Sequence, residues 1–128
     1  WVQTLNKFYK SSPALYEKAF EPEGFEWVDY QDRDSSILSF LRKGKDAKKP
    51  LLVVCNFTPA VRTPYKVGVP LGGKWKEVLN SDATTFSGSG IVHDKTLTAT
   101  KQKEKWQGRD YALELRLAPL AIMVFEKL

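Results

Sequence analysis

Apolar residues run without a break through Leu51, Leu52, Val53, Val54 and Cys55 and end at the polar turn Asn56-Phe57-Thr58-Pro59. A Val- and Leu-rich run of this length, closed by a proline turn, predicts a β-strand buried on both faces. Such a strand needs one layer above it and another below, so it belongs at the centre of a sheet or sandwich.

Alternation holds best at 111–117, where Tyr111, Leu113, Leu115 and Leu117 share one face and Glu114 and Arg116 the other. Side chains alternate across a strand with a period of two, so this segment predicts a half-buried strand. Ala118-Pro119 breaks it, and residues 121–125 read as a final buried strand. Weaker extended patterns occupy 25–29, 37–41, 65–69 and 75–79. Between them stands turn chemistry: the polar stretch 31–35, the Lys- and Gly-bearing link 43–50, Pro70 with Gly72-Gly73, Asn80-Ser81-Asp82, and Ser87-Gly88-Ser89-Gly90. About seven or eight short strands with turn signals every ~8–12 residues predict an all-β fold, an antiparallel β-sandwich.

The first residues obey a different period. Trp1, Val2, Leu5, Phe8 and Tyr9 form the stripe of an amphipathic helix, with Lys7 and Lys10 toward its negative end. Ser12-Pro13 predicts an N-cap followed by proline at the first position of a second, short helical turn. A helix this short is unstable alone in water. Its stripe must pack on the β domain or on a preceding domain.

Size and charge narrow the picture. One domain with a real core fits in 128 residues, and two do not. No apolar run approaches the ~20 residues that cross a bilayer as a helix, and the start lacks the layout of a secretory signal, so no membrane partner is expected. The chain begins at Trp1 and its one methionine is Met123, which leads us to expect a piece cut from a longer polypeptide. The single cysteine, Cys55, excludes an internal disulfide and suits a reducing, cytoplasmic setting. Its place in the apolar run predicts a structural thiol rather than a reactive one.

The net charge of +5 raises the question of a polyanion partner. Eight of the 20 basic residues crowd two segments, Arg42, Lys43, Lys45, Lys48 and Lys49 in one and Lys101, Lys103 and Lys105 in the other. Both read as exposed turns carrying solvated charge. Aromatic residues are not interleaved with Lys or Arg along a strand, so no nucleic-acid partner is expected.

Chemistry is scarce. One Cys and one His cannot supply a zinc site, and no metal or cofactor is expected. Gly88 and Gly90 lack the Lys-Ser/Thr of a phosphate-binding loop. His93 would have to serve as the base of any serine triad, and it reads instead as an exposed loop histidine. Asp29, Asp32 and Asp34 cluster at one turn and Asp82 follows Asn80-Ser81; turn hydrogen bonding is the expected role of all four. The aromatics remain. Trp106, Trp75 and Tyr65 are the candidate stacking platforms for a sugar ring. Trp27 and Trp75 lie in strands and are expected to fill the core or a contact with another domain, whereas Trp106 sits in the polar stretch 101–109 and is expected to be exposed.

The ordered motifs carry a resemblance that single residues do not. They begin with Trp1-Val2-Gln3-Thr4-Leu5-Asn6-Lys7-Phe8-Tyr9, Pro13-Ala14-Leu15-Tyr16, Phe25-Glu26-Trp27-Val28-Asp29 and Ser39-Phe40-Leu41-Arg42. They continue with Val54-Cys55-Asn56-Phe57-Thr58-Pro59, Tyr65-Lys66-Val67-Gly68-Val69-Pro70 and Trp75-Lys76-Glu77-Val78-Leu79-Asn80-Ser81-Asp82, and close with Gly88-Ser89-Gly90 and Pro119-Leu120-Ala121. In this order the chain resembles the C-terminal region of bacterial 1,4-α-glucan branching enzymes of the α-amylase superfamily. Residues 91–107 depart from that pattern, carrying His93-Asp94-Lys95-Thr96 and a Lys-rich stretch where the family is short and glycine-rich.

The resemblance implies that residues 1–23 close a (β/α)8 catalytic barrel and that 24–128 form the all-β domain behind it. It implies an enzyme that moves an α-1,4-glucan segment onto a 6-hydroxyl through an Asp nucleophile and a Glu acid/base, with α-glucan as substrate. None of the matched motifs carries those residues, so this chain is expected to be non-catalytic. A self-standing glycan-binding module is the alternative.

Overall fold

The central strand is the apolar run, Leu51–Asn56, and every one of its residues is buried. We describe it from a computed structural model that covers residues 1–16, 24–32, 36–46 and 48–128, with the side chains of 13 and 29–32 outside the description. A ten-residue helix α1 (Val2–Ser11) and a 3-10 turn (Pro13–Leu15) precede eight strands. These are β1 (Phe25–Asp32), β2 (Ile37–Arg42), β3 (Leu51–Asn56), β4 (Arg62–Val69), β5 (Gly73–Asn80), β6 (Leu97–Trp106), β7 (Arg109–Leu117) and β8 (Ala121–Lys127).

The strands hydrogen-bond in the order β1-β2-β3-β8-β5-β6-β7-β4, and every pairing is antiparallel. The sheet doubles over at β6. Its first residues pair with β5 (Gly73 opposite Ala99), whereas Thr100 and Lys101 pair with Ala112 and Tyr111 of β7. One layer is therefore β1-β2-β3-β8-β5 and the other β7-β4, with β6 shared. The result is the antiparallel sandwich that the alternation predicts.

Period two explains why β3 is buried twice. Leu52 and Val54 face the space between the layers, with Ile37, Leu41, Val67, Trp75, Leu113, Leu117, Met123 and Phe125. Leu51, Val53 and Cys55 point the other way, into a second cluster with Ala14, Leu79 and Val124. Trp1, Phe8 and Leu15 of the helical segment pack on that second cluster, and Arg42 donates to the Leu15 carbonyl at 3.1 Å. The N-terminal helix thus covers the outer face of the first layer. A fully buried Leu or Val side chain contributes about 1.5–3 kcal/mol, so β3 draws on two cores at once.

Polar side chains lock the strand ends. Asn56 is buried at the end of β3, donating to the carbonyls of Ala60 and Ala118 and accepting from the Thr58 backbone N–H and hydroxyl. All of its hydrogen-bonding capacity is used, which is why an Asn ends an apolar strand here.

The structure revises several expectations. Lys101, Lys103 and Lys105 lie in strand β6, not in a turn, although all three are exposed. Trp27 does not fill the core: it is 44% exposed on the outer face of β1, edge-on to Phe25 and Phe40, which leaves a contact with another domain as the expectation for it. Asp34 lies outside the described residues, as do the side chains of Asp29 and Asp32.

Candidate functional site

Of the three stacking candidates, only Trp106 offers an open ring. It ends β6 at a hairpin tip, pairs with Arg109, and is 41% exposed. Its indole N–H donates to the Lys66 carbonyl at 3.0 Å, and the Lys66 ammonium stands 4.4 Å from the ring centroid. The tip folds onto β4 because Gly68 has no side chain: a Cβ there would collide with the Trp106 carbonyl oxygen. Gln107 secures the same contact by accepting the Gly68 N–H at 2.8 Å. Arg109 fastens the tip to the far edge of the other layer, pairing with Glu26 and donating to the Trp27 carbonyl. Lys43 also holds Glu26, at 2.8 Å. Partial burial pushes the Glu26 carboxyl up, and the hydrogen bonds and charges of Lys43 and Arg109 more than reverse this, leaving it below its ordinary value.

Trp75 and Tyr65 do not join it. Trp75 is fully buried between the layers, its indole N–H donating to the Leu71 carbonyl at 3.1 Å, so we remove it from the set of glycan platforms. Tyr65 lies opposite Leu115 and packs half-buried against the sandwich core. Because neighbours on a strand point to opposite faces, Tyr65 and the Lys66–Trp106 pair occupy different sides of β4. The three aromatics form no common surface.

The loop after β5 holds the described chain's most concentrated polar network. Asn80 donates to the Ile91 carbonyl and accepts the Asp82 N–H at 2.8 Å. Asp82 accepts from the Ser89 hydroxyl at 2.6 Å, the Ser89 N–H at 3.0 Å and the Ile91 N–H at 2.9 Å. Burial pushes the Asp82 carboxyl up, and these donors outweigh it, so the group sits below its ordinary value. Gly88 is required where the loop passes Asp82, since any Cβ would strike the Asp82 backbone.

His93 is not the exposed loop residue that the sequence suggests. Its side chain is 9% exposed and meets Glu77, itself 6% exposed, at 2.6 Å through Nδ1. Nε2 accepts the Arg116 backbone N–H at 3.0 Å, so it carries no proton and Nδ1–H donates to the carboxylate. Both ring nitrogens are committed, and neither is left to activate a nucleophile. The Cys55 thiol is buried, and that burial pushes its pKa up, away from reactivity. Among the described residues, no three His, Cys, Asp or Glu side chains converge as metal ligands, and no helix is long and apolar enough to cross a membrane. A cleft of about 370 Å³ opens between the end of α1 and the β2–β3 link, lined by Ser12, Asp46, Lys49 and Glu126 among others. Asp46 there accepts the Lys48 N–H as a turn carboxylate does.

These side chains hold layers and loops together. In comparison with known proteins, residues 27–127 match the family described as alpha amylase, C-terminal all-beta domain. The chain belongs to that family. Similarity to full proteins extends beyond the alpha-amylase C-terminal all-beta domain itself. The 1,4-alpha-glucan branching enzyme GlgB of Aquifex aeolicus is 48% identical over 124 residues, 95% of this chain and 19% of that protein. The GlgB of Cereibacter sphaeroides is 48% identical over 120 residues, 94% of this chain and 16% of its own length. That of Halothermothrix orenii is 41% identical over 128 residues, the whole of this chain and 20% of the relative. The chain therefore spans about a fifth of the curated relatives it matches.

Proposed function

We propose that this chain is the non-catalytic C-terminal part of a 1,4-alpha-glucan branching enzyme, a cytoplasmic glycosyltransferase of glycogen synthesis. In that reading a preceding (β/α)8 barrel, its partner in the same polypeptide, transfers the α-glucan. The observation that carries it is the near-complete alignment of this chain within much longer branching enzymes. Residues 1–23, of which 17–23 lie outside the described residues, then belong to the closing segment of the barrel and 24–128 to the all-β domain.

The chemistry supports the division of labour. Retaining transfer needs two carboxyl groups about 5–5.5 Å apart across an open sugar site. Glu26, Glu77 and Asp82 are instead each tied to partners of their own, Lys43 and Arg109, His93, and Ser89 with Ile91. Residues 1–128 alone are expected to leave amylose unbranched and unhydrolysed in an iodine-staining and debranched-chain-length assay. New branches made by this piece would refute the reading. The coding sequence upstream of Trp1 is a second check, with an in-frame barrel expected.

A glucan contact at Trp106 is the second reading, favoured by a half-exposed indole held fast by its N–H bond and by Lys66. The ammonium occupies one ring face, which leaves at most one for a sugar. Trp106→Ala is expected to reduce retardation in a glycogen-containing native gel by severalfold; unchanged mobility would remove the contact.

A further inference from the structure

We infer that the tip of the β6–β7 hairpin is a clasp over the two free edges of the sheet, and that it keeps the outer edge of β4 from pairing with β4 of a second copy of this chain.

The two ends of the strand order are β1 and β4. An unpaired end strand offers its outward N–H and C=O groups as a template for another chain. In an antiparallel pair the backbone groups of successive residues point alternately toward the partner strand and away from it. Lys66 and Gly68 share the side of β4 that faces away from β7. There the Lys66 carbonyl accepts the Trp106 indole N–H at 3.0 Å, and the Gly68 N–H donates to Gln107 Oε1 at 2.8 Å. Pro64, the preceding residue on that side, has no N–H to offer. On β1, the Gly24 carbonyl accepts the Lys43 N–H on the side of β2. Trp27, three residues on, therefore turns its carbonyl outward, where it accepts from Arg109 at 3.3 Å. One short tip thus occupies backbone groups at both ends of the sheet.

The tip is shaped for this task. Trp106 pairs with Arg109 around Gln107-Gly108, and both turn residues have positive φ, 52° and 78°. Such a two-residue turn matches the twist of its strands. Glycine takes this conformation freely, whereas a long side chain rarely does. Gln107 adopts it nonetheless, and its amide oxygen meets the β4 edge. Between Lys101 and Trp106 β6 advances five positions while β7 advances two. Extra residues bend a strand, and here they turn the tip onto β4 at Gly68, where no side chain stands in the way.

β4 is the edge that needs the cover. Its ladder with β7 is unbroken from Tyr65 to Val69, whereas β1 shifts register twice along β2. Bulges blunt an edge, and a regular one remains open to strand addition. Two β4 edges side by side about a twofold axis make a self-complementary contact, so a second copy of this chain is the occupant the clasp excludes.

The test uses the full-length polypeptide that carries this chain. Trp106→Phe combined with Gln107→Ala keeps a ring beside Lys66 and removes both hydrogen bonds to the β4 edge. Sedimentation velocity is expected to show a dimer that grows with concentration, and hydrogen exchange of the Gly68 amide in dilute samples to quicken roughly tenfold. Adding Lys66→Pro, which takes an outward N–H from the same edge, is expected to restore the wild-type mass. If the double variant does not accumulate, Gln107→Ala alone gives the same direction, while Gln107→Glu, which keeps an acceptor for the Gly68 N–H, stays at the wild-type mass. Opened variants that hold the wild-type mass at every concentration would overturn the inference. So would association that persists with Lys66→Pro, since that is aggregation of an unfolded domain and not strand pairing. Self-association of the wild type that Lys66→Pro abolishes would overturn it as well, because the edge would then be open with the clasp in place.

Discussion

Trp75→Ala is expected to remove about 3–5 kcal/mol from the stability of the domain, the range for truncating a buried Trp or Phe. The whole folding free energy of a domain is about 5–15 kcal/mol, so this substitution removes a large share of it. The large value follows from position. Trp75 has no exposed surface and stands between the layers on β5, opposite Lys127 of β8 on one side and Leu97 of β6 on the other. Removing its ring leaves a cavity at the place where the sheet doubles over. Trp75→Phe keeps most of the packing and removes the donor to the Leu71 carbonyl, so its expected cost is about 1–2 kcal/mol. Urea titrations followed by far-UV circular dichroism measure both. If Trp75→Ala unfolded at the wild-type midpoint, the assignment of this ring to the core would be wrong. The same pair bears on function: Trp75→Phe should leave any retention by glycogen as it was, because a ring with no exposed surface cannot stack on a sugar.

What the sequence made legible, and what it hid, follows from how burial is distributed along each strand. β3 was readable because both its faces are covered, so hydrophobicity is continuous across Leu51 to Cys55. β7 was readable because Leu113, Leu115 and Leu117 face the core while Glu114 and Arg116 are exposed. β6 fails on both counts. It changes partner part-way, from β5 to β7, and Ala99 is its one fully buried residue. Its Lys, Gln and Glu residues then look like a solvated turn, since strand propensity is weak where packing does not reinforce it. His93 was misread for a related reason. Its loop is polar and Gly-rich in sequence, yet the ring is buried by partners 16 and 23 residues away, Glu77 and Arg116. No local pattern announces such long-range pairing. For the candidate site, the exposure of Trp106 was legible from its polar neighbours. The burial of Trp75 and the half-burial of Tyr65 depended on which strand face the second layer covers. The exposure of Trp27 depended on how far α1 reaches across the outer face, and that again is a property of the assembled fold.

Asp82 carries the second large effect, and it makes the domain sensitive to acid. Asp82→Ala is expected to cost about 2 kcal/mol, because it leaves the Ser89 and Ile91 N–H groups and the Ser89 hydroxyl without the buried Asp82 carboxylate that accepts from them, although Ser89 itself is exposed to water. The pH dependence has a definite sign. The carboxyl is held below its ordinary value in the folded chain, whereas in the unfolded chain it titrates near ~3.9. The folded state therefore binds the proton less readily than the unfolded one. The stabilisation is fully present above about pH 4 to 5 and is lost as the pH falls through the lower folded value. Glu26, also depressed, loses stabilisation in the same direction, so the Asp82 share must be taken by difference. Asp82→Asn keeps the shape, removes the titration and can still accept through Oδ1. Its unfolding free energy should fall less steeply than that of the wild type between pH 5 and acid, the two curves converging as Asp82 protonates. Parallel curves from about pH 6 to 2 would show that the loop does not depend on the charge. Convergence would identify the Asn80–Asp82–Ser89 network as an acid-labile clasp beside β5, the strand that also carries Glu77 of the buried His93 pair.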